Sequence, residues 1–421
     1  MSKADDLNAT LGRTAPAAAA CLSTLGRQLA FPAGIPAQSF EAAGCAFNAT
    51  IGQLTDGRRG ALTPPALGDL APQLDPAAAF LYTHTAGLPV LRDLWQARQQ
   101  REGGHTPASR PVVVSGITNG LSVCADLFAD ADTDVVVGVP YWGNYNLIFG
   151  TRRGARVLPF PFFDEGRQRF NVAGLRAALA QVRHKALVII NFPSNPTGYS
   201  PLEDEVPAIV DALVSARGPV AVLCDDAYHG WVYEPGVARD SLFWALTRQA
   251  DPARLLPIKA DGATKELLFF GGRVAFLTFG VSDPAAADAL EDKVMAAIRG
   301  TISQSSAPPQ AMVARALADP DLDRQLAERM ELVVRRYRVL KRELDALTGD
   351  NLRPWPFNAG FFAILGVRPG VDVHALRRRL IEEQSVGVIA VPEISAIRLA
   401  FCSIREEDIP ELVRRIRIVA G

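Results

Sequence analysis

Leu255-Leu-Pro-Ile-Lys259 and Val274-Ala-Phe-Leu-Thr-Phe279 both read as strands, and Asp261-Gly-Ala-Thr-Lys265 lies between them. Little room is left there for a crossover helix. A parallel connection takes about a dozen residues or more. The second strand is therefore expected to run antiparallel to its neighbours, with Lys265 in the intervening loop. Upstream the chain is rhythmic. Residues 112–115 form a short apolar run, followed by a Gly-containing turn and a helical stretch at 121–128. Residues 134–139, 156–159, 187–191 and 220–225 repeat the strand pattern, with helix-length segments between most of them. This alternation predicts a large α/β domain whose mostly parallel, seven-stranded sheet lies between helices.

Past residue 282 the character changes. Asp283 is placed to cap a helix running to Arg299, with Gly300 ending it. Residues 309–347 are strongly helical with a break near 319–321, and 361–365 and 397–401 read as strands among helices. These predict a second, smaller α/β domain. At 421 residues the chain is too long for one ordinary core. The expected division is 1–55 as an N-terminal arm joining the small domain, 56–300 as the large domain and 301–421 as the small C-terminal domain.

Composition narrows the function. Hydrophobic residues at 48% and charged residues at 21% describe a globular protein. A formal net charge of −1 supplies no global field toward nucleic acid or membrane. The five cysteines, at 21, 45, 124, 224 and 402, contain no CxxC pair. Such a dispersed, odd set suits reduced thiols in a cytoplasmic protein better than disulfides or a metal site. No apolar run reaches transmembrane length. Residues 15–21 are apolar, but Asp5 and Asp6 precede them where a signal peptide would be positive, so they are read as a mobile or docking arm. No GxGxxG follows a strand, which argues against a nicotinamide enzyme.

Open α/β sheets bind ligands at the carboxyl ends of their strands, and the chemically unusual residues fall there. Gly116-Ile-Thr-Asn-Gly120 joins an early strand to its helix, and Pro140-Tyr-Trp142-Gly-Asn-Tyr145 follows another strand. Asn191-Phe-Pro-Ser-Asn195-Pro-Thr-Gly198 follows a third, and Asp225-Asp-Ala-Tyr228 ends a fourth. Lys265 follows the next, with Arg273 eight residues later. Each piece alone has a plain structural reading. SNPTG is a good turn, Trp142 could be core, and Lys265 could be a solvated loop lysine.

In this order and at these intervals the segments resemble the class I/II aminotransferases, pyridoxal-phosphate enzymes of the aspartate aminotransferase fold (fold type I), from Phe47 to Phe401. The resemblance implies that Lys265 forms a Schiff base with pyridoxal 5′-phosphate and carries the proton between substrate and cofactor. Its amine must then be partly deprotonated, which burial and cationic neighbours favour. It implies that Asp225 pairs with the pyridine nitrogen and keeps the ring an electron sink. Asp226 is the rival, but strand alternation points the two carboxylates to opposite sides. Tyr228 and Asn195 are implied to bond the phenolic oxygen, and Trp142 to stack on the ring. Arg273, with Ile117, Thr118 and Asn119, is implied to hold the phosphate. Thr264 keeps a hydroxyl beside the lysine, while Gly262 replaces a serine frequent in the family.

For the substrate, Arg398 in AIRLAF is implied to clamp the α-carboxylate, with Gly52 in a covering loop and Trp142 and Asn195 nearby. Arg299 matches an arginine that binds a distal carboxylate from the other subunit, which would mean a dicarboxylic substrate. A helix-terminal arginine answering the helix dipole is the competing reading. Tyr82 in YTHTAGLPVLR is implied to reach the neighbouring subunit's phosphate, which requires a homodimer; the alternative is a loop anchor. His229 is read as a supporting or packing histidine. The implied activity is transfer of an amino group from an L-amino acid to a 2-oxo acid. The rival is a β-lyase or other elimination enzyme, which would share the same cofactor residues. A cofactor-sensing transcriptional regulator is not expected, because no basic helix-turn-helix pattern precedes the resemblance.

Overall fold

The computed structural model describes residues 35–57, 62, 64–68, 74, 81–166, 168–347 and 351–420, with Asp5, Asp6 and Ala9. The apolar stretch at 15–21, including Cys21, lies outside the described residues. The first strands are β1 (Phe47–Asn48), β2 (Val112–Val114), β3 (Thr133–Val139), β4 (Arg156–Pro161) and β5 (Lys185–Ile190). They are followed by β6 (Val220–Asp225), β7 (Leu255–Gly262) and β8 (Ala275–Phe279). Beyond a helical stretch come β9 (Leu352–Pro354), β10 (Phe362–Val367), β11 (Val386–Gly387), β12 (Ile389–Val391) and β13 (Ala396–Ala400).

The large sheet has seven strands in the order β2-β8-β7-β6-β5-β3-β4. Its pairings are parallel except those of β8, which runs antiparallel to both β7 and β2. The central strands are continuous apolar runs because both their faces are buried. Alternate residues go to different cores. Val135, Val137, Leu187, Ile189 and Leu223 pack with the helix Ile117–Phe128. Val136, Val188, Ile190 and Val222 pack with the helices Val206–Val214 and Leu242–Gln249.

β7 runs further than its apolar segment suggests. Asp261 and Gly262 still pair, with Phe276 and Ala275 of β8. The second sheet is antiparallel, in the order β12-β13-β10-β9. β1 pairs in parallel with β11 and ties the N-terminal segment to the C-terminal part of the chain. Asp283 caps the helix Pro284–Arg299 by accepting from the amides of Ala285 and Ala286. Gly300 stays right-handed at φ −75, so this helix ends without a left-handed glycine cap. The following helices are Ala307–Leu317 and Leu322–Asp345, broken where the sequence predicted. The first of them returns to the large sheet, where Val313, Ala314 and Ala316 pack with Trp95, Val113 and Phe276. Among the described residues no helix is long and apolar enough to cross a membrane. Cys45, Cys124, Cys224 and Cys402 are free thiols.

One ionic network fastens the sheet to its helices. Lys259 on β7, 1% exposed, lies 2.5 Å from Asp226 and 3.5 Å from Asp261. Asp261 also accepts from Trp95 Nε1 at 3.0 Å and Gln99 Nε2 at 3.0 Å, both on the helix Pro89–Gly103. Asp226 accepts from Ser241 Oγ at 2.6 Å, the residue that caps the helix Leu242–Gln249. Buried charges persist only when paired, and removing one partner is costly. Lys259→Met should therefore lower stability by about 3–5 kcal/mol, read from unfolding followed by circular dichroism. A variant as stable as the parent would refute this account of the network.

Candidate active site

The site assembles at the carboxyl ends of β5, β6 and β7. Asp225 is the last residue of β6 and is 3% exposed. Its Oδ2 accepts from the Tyr145 hydroxyl at 2.5 Å, and its Oδ1 from the Ala227 amide at 3.3 Å. Asn191, just past β5, donates to the Asp225 carbonyl at 2.6 Å and accepts from the Asn195 amide at 2.7 Å. One side chain thus registers two strand ends against each other. Burial raises the Asp225 carboxyl to about 6, against the opposing pull of the Tyr145 hydrogen bond and the Lys265 charge. Asp226 takes the other face, where it meets Lys259.

Lys265 sits in the one-turn helix Ala263–Glu266 directly after β7 and is half-buried. Its Nζ lies 4.9 Å from the centre of the Tyr228 ring. Burial lowers its pKa to about 8; the Asp225 charge opposes this and the Arg273 charge reinforces it. About a tenth of such amines are neutral at pH 7, against under a thousandth for an ordinary lysine. Tyr228 is buried, its ring packed edge-on against Phe361 and Phe362, and burial holds its phenol protonated.

Close by is a corner with the chemistry of an anion site. Gly116, at φ +83, precedes the helix Ile117–Phe128. A Cβ there would stand 2.1 Å from Arg273 Nη2, so only glycine admits the guanidinium against the helix start. The leading amides of a helix, here those of Ile117 and Thr118, have no intrahelical acceptors and favour anions. Asn119 turns its Oδ1 back to the Ser115 amide at 3.1 Å. The Thr264 hydroxyl is buried without a hydrogen-bond partner. Position 262 carries no side chain for a local reason. Gly262 pairs with Ala275, and a Cβ would lie 2.6 Å from the Ala275 Cα.

Arg398, on β13, is 2% exposed and reaches across from the second sheet. Nη1 donates to Asn195 Oδ1 at 2.8 Å, Nη2 to the Thr50 carbonyl at 2.6 Å, and Nε is buried without a partner. The guanidinium lies 4.2 Å over the Phe362 ring. Burial lowers its pKa to about 10, which leaves it charged at neutral pH. A Cβ on Gly52 would meet Phe362 Cζ at 2.3 Å, so the 48–52 loop closes directly on that ring. Trp142 is half-buried and meets Tyr145 edge-on at 5.6 Å.

Two of the predicted residues are not brought to this cluster within one chain. Tyr82 is 94% exposed. Arg299 is exposed and donates to Ser303 Oγ at 2.6 Å. His229 lies on the Asp226 face and pairs with Glu102. Burial and the Lys259 charge oppose its protonation, but Glu102 outweighs them and its pKa lies above the ordinary value. Sequence reasoning missed Tyr145, Asn191, Phe362 and Thr50. Tyr145 had a signal, since it stands three residues after Trp142 in a strand-end segment. Thr50 had none, because it contributes a backbone carbonyl.

A mixed seven-stranded sheet presenting a lysine, a carboxylate and an arginine-lined anion corner defines a class of α/β enzyme, and its solved members are informative. An aminotransferase from Anaerococcus prevotii superposes with a TM-score of 0.80 at 19% identity, covering 93% of this chain and 97% of that one. Aspartate aminotransferase from Thermus thermophilus with maleate gives 0.76 at 19% identity, covering 94% and 99%. These establish the fold. The chain belongs to the class I and II aminotransferases, whose family model matches residues 47–416. It is an aminotransferase. Among curated relatives, arginine–pyruvate transaminase of Pseudomonas aeruginosa is 29% identical over 355 residues, 81% of this chain and 82% of that protein. Aspartate/prephenate aminotransferase of Thermus thermophilus is 25% identical over 359 residues, covering 81% and 83%.

The Tyr145 hydrogen bond favours the ionised form of Asp225, so its loss should favour the protonated form. In Tyr145→Phe the Asp225 carboxyl should titrate above its present value of about 6, followed by carbon NMR of aspartate-labelled protein. An unchanged titration would show that the bond does not set the charge of Asp225.

Proposed function

We propose that the cofactor is pyridoxal 5′-phosphate, carried covalently on Lys265, and that Arg398 holds the α-carboxylate of an L-amino acid while its amino group is moved to a 2-oxo acid. The observation that carries this reading is the Lys265 amine, lowered to about 8 beside a buried Asp225 and an arginine held against a helix start. The residues fit the group. Arg273, the Ile117 and Thr118 amides and the unpartnered Thr264 hydroxyl suit a phosphate, with Asn119 fixing the turn. Asp225 suits a ring nitrogen, Trp142 a ring face, and Tyr228 with Asn195 a phenolic oxygen. When bound, the cofactor supplies the electron sink that makes the substrate α-proton removable.

The chain's own groups do the rest. Lys265, neutral in an appreciable fraction of molecules near pH 8, accepts and returns a proton. Tyr145 keeps Asp225 charged although it is buried. Arg398 is already aimed by Asn195, Thr50 and Phe362, so little ordering remains to be done when a carboxylate arrives. The loop carrying Gly52 excludes water over that contact.

The nearly complete exposure of Tyr82 supports a homodimer in which this tyrosine reaches the other subunit's phosphate. Arg299, equally free of its own site, would meet a second carboxylate across the same interface and select dicarboxylic substrates. Residues 56–300 would form the cofactor-bearing domain and 301–421, joined by 1–55, the smaller one, apart from the helix Ala307–Leu317, which packs on the large sheet. The dispersed free thiols suit a cytoplasmic enzyme.

The test is the visible spectrum of the cofactor-loaded protein before and after adding single amino acids without a 2-oxo acid. Conversion to the aminated cofactor, with one 2-oxo acid released per site, is expected. Accumulation of pyruvate and ammonia with an unchanged spectrum would replace transfer by elimination. Lys265→Ala should abolish turnover, and near-normal transamination by that variant would end the assignment. Arg398→Lys keeps the charge but loses the planar fork. It should cost about 10- to 100-fold in kcat/KM; an unchanged kcat/KM would place the carboxylate elsewhere.

A further inference from the structure

The turn that carries Lys265 is gripped by a side chain from a distant segment. Trp231, 3% exposed, stands three residues after Tyr228 in the loop that follows β6. Its indole Nε1 donates to the Lys265 carbonyl at 3.1 Å. The same carbonyl accepts from the Leu268 amide at 3.2 Å. Leu268 is buried and left-handed, at φ +55. A non-glycine residue in that conformation is strained, and it persists only where its surroundings over-determine it.

Trp231 reaches the other half of the site as well. Its carbonyl accepts from the Gly360 amide at 2.7 Å, and the Tyr233 amide donates to the Asn358 carbonyl at 3.1 Å. Val232 and Ala359 bridge between them. The indole ring packs edge-on against Phe361 at 5.0 Å. Phe361 and Phe362 pack on the Tyr228 ring, over which the Lys265 amine lies. The Arg398 guanidinium lies over Phe362. One residue therefore meets the lysine turn through its N–H, and the segment beneath Arg398 through its ring and backbone. These contacts use different atoms and can be separated.

We propose that Trp231 is a positioning residue for the reaction: its indole N–H fixes the turn that aims the Lys265 amine, while its ring and backbone seat the segment beneath Arg398. This rests on the reading of Lys265 as the lysine that carries the cofactor. A lysine amine sits on a long flexible stem, so its direction is set first by where the main chain is held. Burial is the main influence on this amine, with the Asp225 charge opposing it and the Arg273 charge reinforcing it. All three depend on where the turn holds it.

The experiment is carbon NMR of the full chain labelled at lysine Cε and titrated without cofactor, with the Lys265 resonance assigned from Lys265→Arg. Trp231→Phe keeps an aromatic ring against Phe361 and removes the N–H. Benzothienylalanine incorporated at position 231 keeps the whole bicyclic frame and puts sulfur in place of the N–H, so a folding defect in the first variant does not decide the result. In both, the Lys265 amine should titrate at least about 0.5 above its parent value of about 8, because a released turn gives it more access to water. With cofactor, kcat should fall about 3- to 10-fold while KM for the amino acid stays within about twofold, because the contacts beneath Arg398 are retained. Trp244→Phe removes another buried indole N–H, which donates to Glu102 Oε2 at 3.0 Å, and should leave both readings unchanged. An unshifted titration in both variants at 231, a raised KM at unchanged kcat, or equal effects from Trp244→Phe would overturn the proposal. The titration reports on the turn alone, and Lys265→Ala decides separately whether this lysine carries the cofactor, so the two readings can fail separately.

Discussion

β6 ends on Asp225, Asp226 follows directly, and the alternating backbone sends the two carboxylates to opposite faces of one sheet. Much of the molecule is organised by that divergence. Asp225 enters the face lined by the helix Ile117–Phe128, meets the Tyr145 hydroxyl and faces the Lys265 charge. Asp226 enters the opposite face and anchors Lys259, which in turn neutralises Asp261 and ties in Trp95 and Gln99. A slip of one residue in β6 would exchange the two and leave each buried charge facing the wrong partners. The structural network therefore fixes the register that the chemistry needs.

The reversed strand β8 supplies the second constraint. Because it returns antiparallel to β7, the turn between them delivers Lys265 and Arg273 to the same end of the sheet as Asp225. The same pairing brings the Ala275 backbone against Gly262 and leaves no volume for a side chain there. The hydroxyl available at this edge is that of Thr264, two residues later and one before the lysine. Arg273 then closes on Gly116, at the start of the helix that follows β2. Segments far apart in the chain share one electropositive corner.

Arg398 shows how the second sheet takes part. It is carried on β13, yet its guanidinium is held by Asn195 beyond β5, by the carbonyl of Thr50 near the N-terminal end and by the face of Phe362 on β10. Burial costs this cation part of its basicity, but a pKa of about 10 keeps it charged near neutrality. A guanidinium fixed from several directions can present its remaining N–H groups only in the plane of the fork.

The apolar runs at 134–139, 187–191 and 220–225 determined a mostly parallel sheet, since strands buried on both faces must be apolar almost throughout. The short spacing between 259 and 274 determined that one strand turns back. Asp225, Lys265 and Arg273 were visible because charged residues are conspicuous at the ends of apolar strands. The full length of β7 was not legible, because its last residues, Asp261 and Gly262, are polar or small and become strand only by pairing with β8. β1, β9, β11 and β12 were hidden because two or three residues carry no periodicity. Tertiary structure alone decided that Tyr145 supports Asp225, that a Thr50 carbonyl aims Arg398, and that Lys259 meets Asp226 and Asp261. Composition and spacing report which groups a chain possesses. Which of them end up within 3 Å of one another, and which is left without a partner, depends on how distant segments pack.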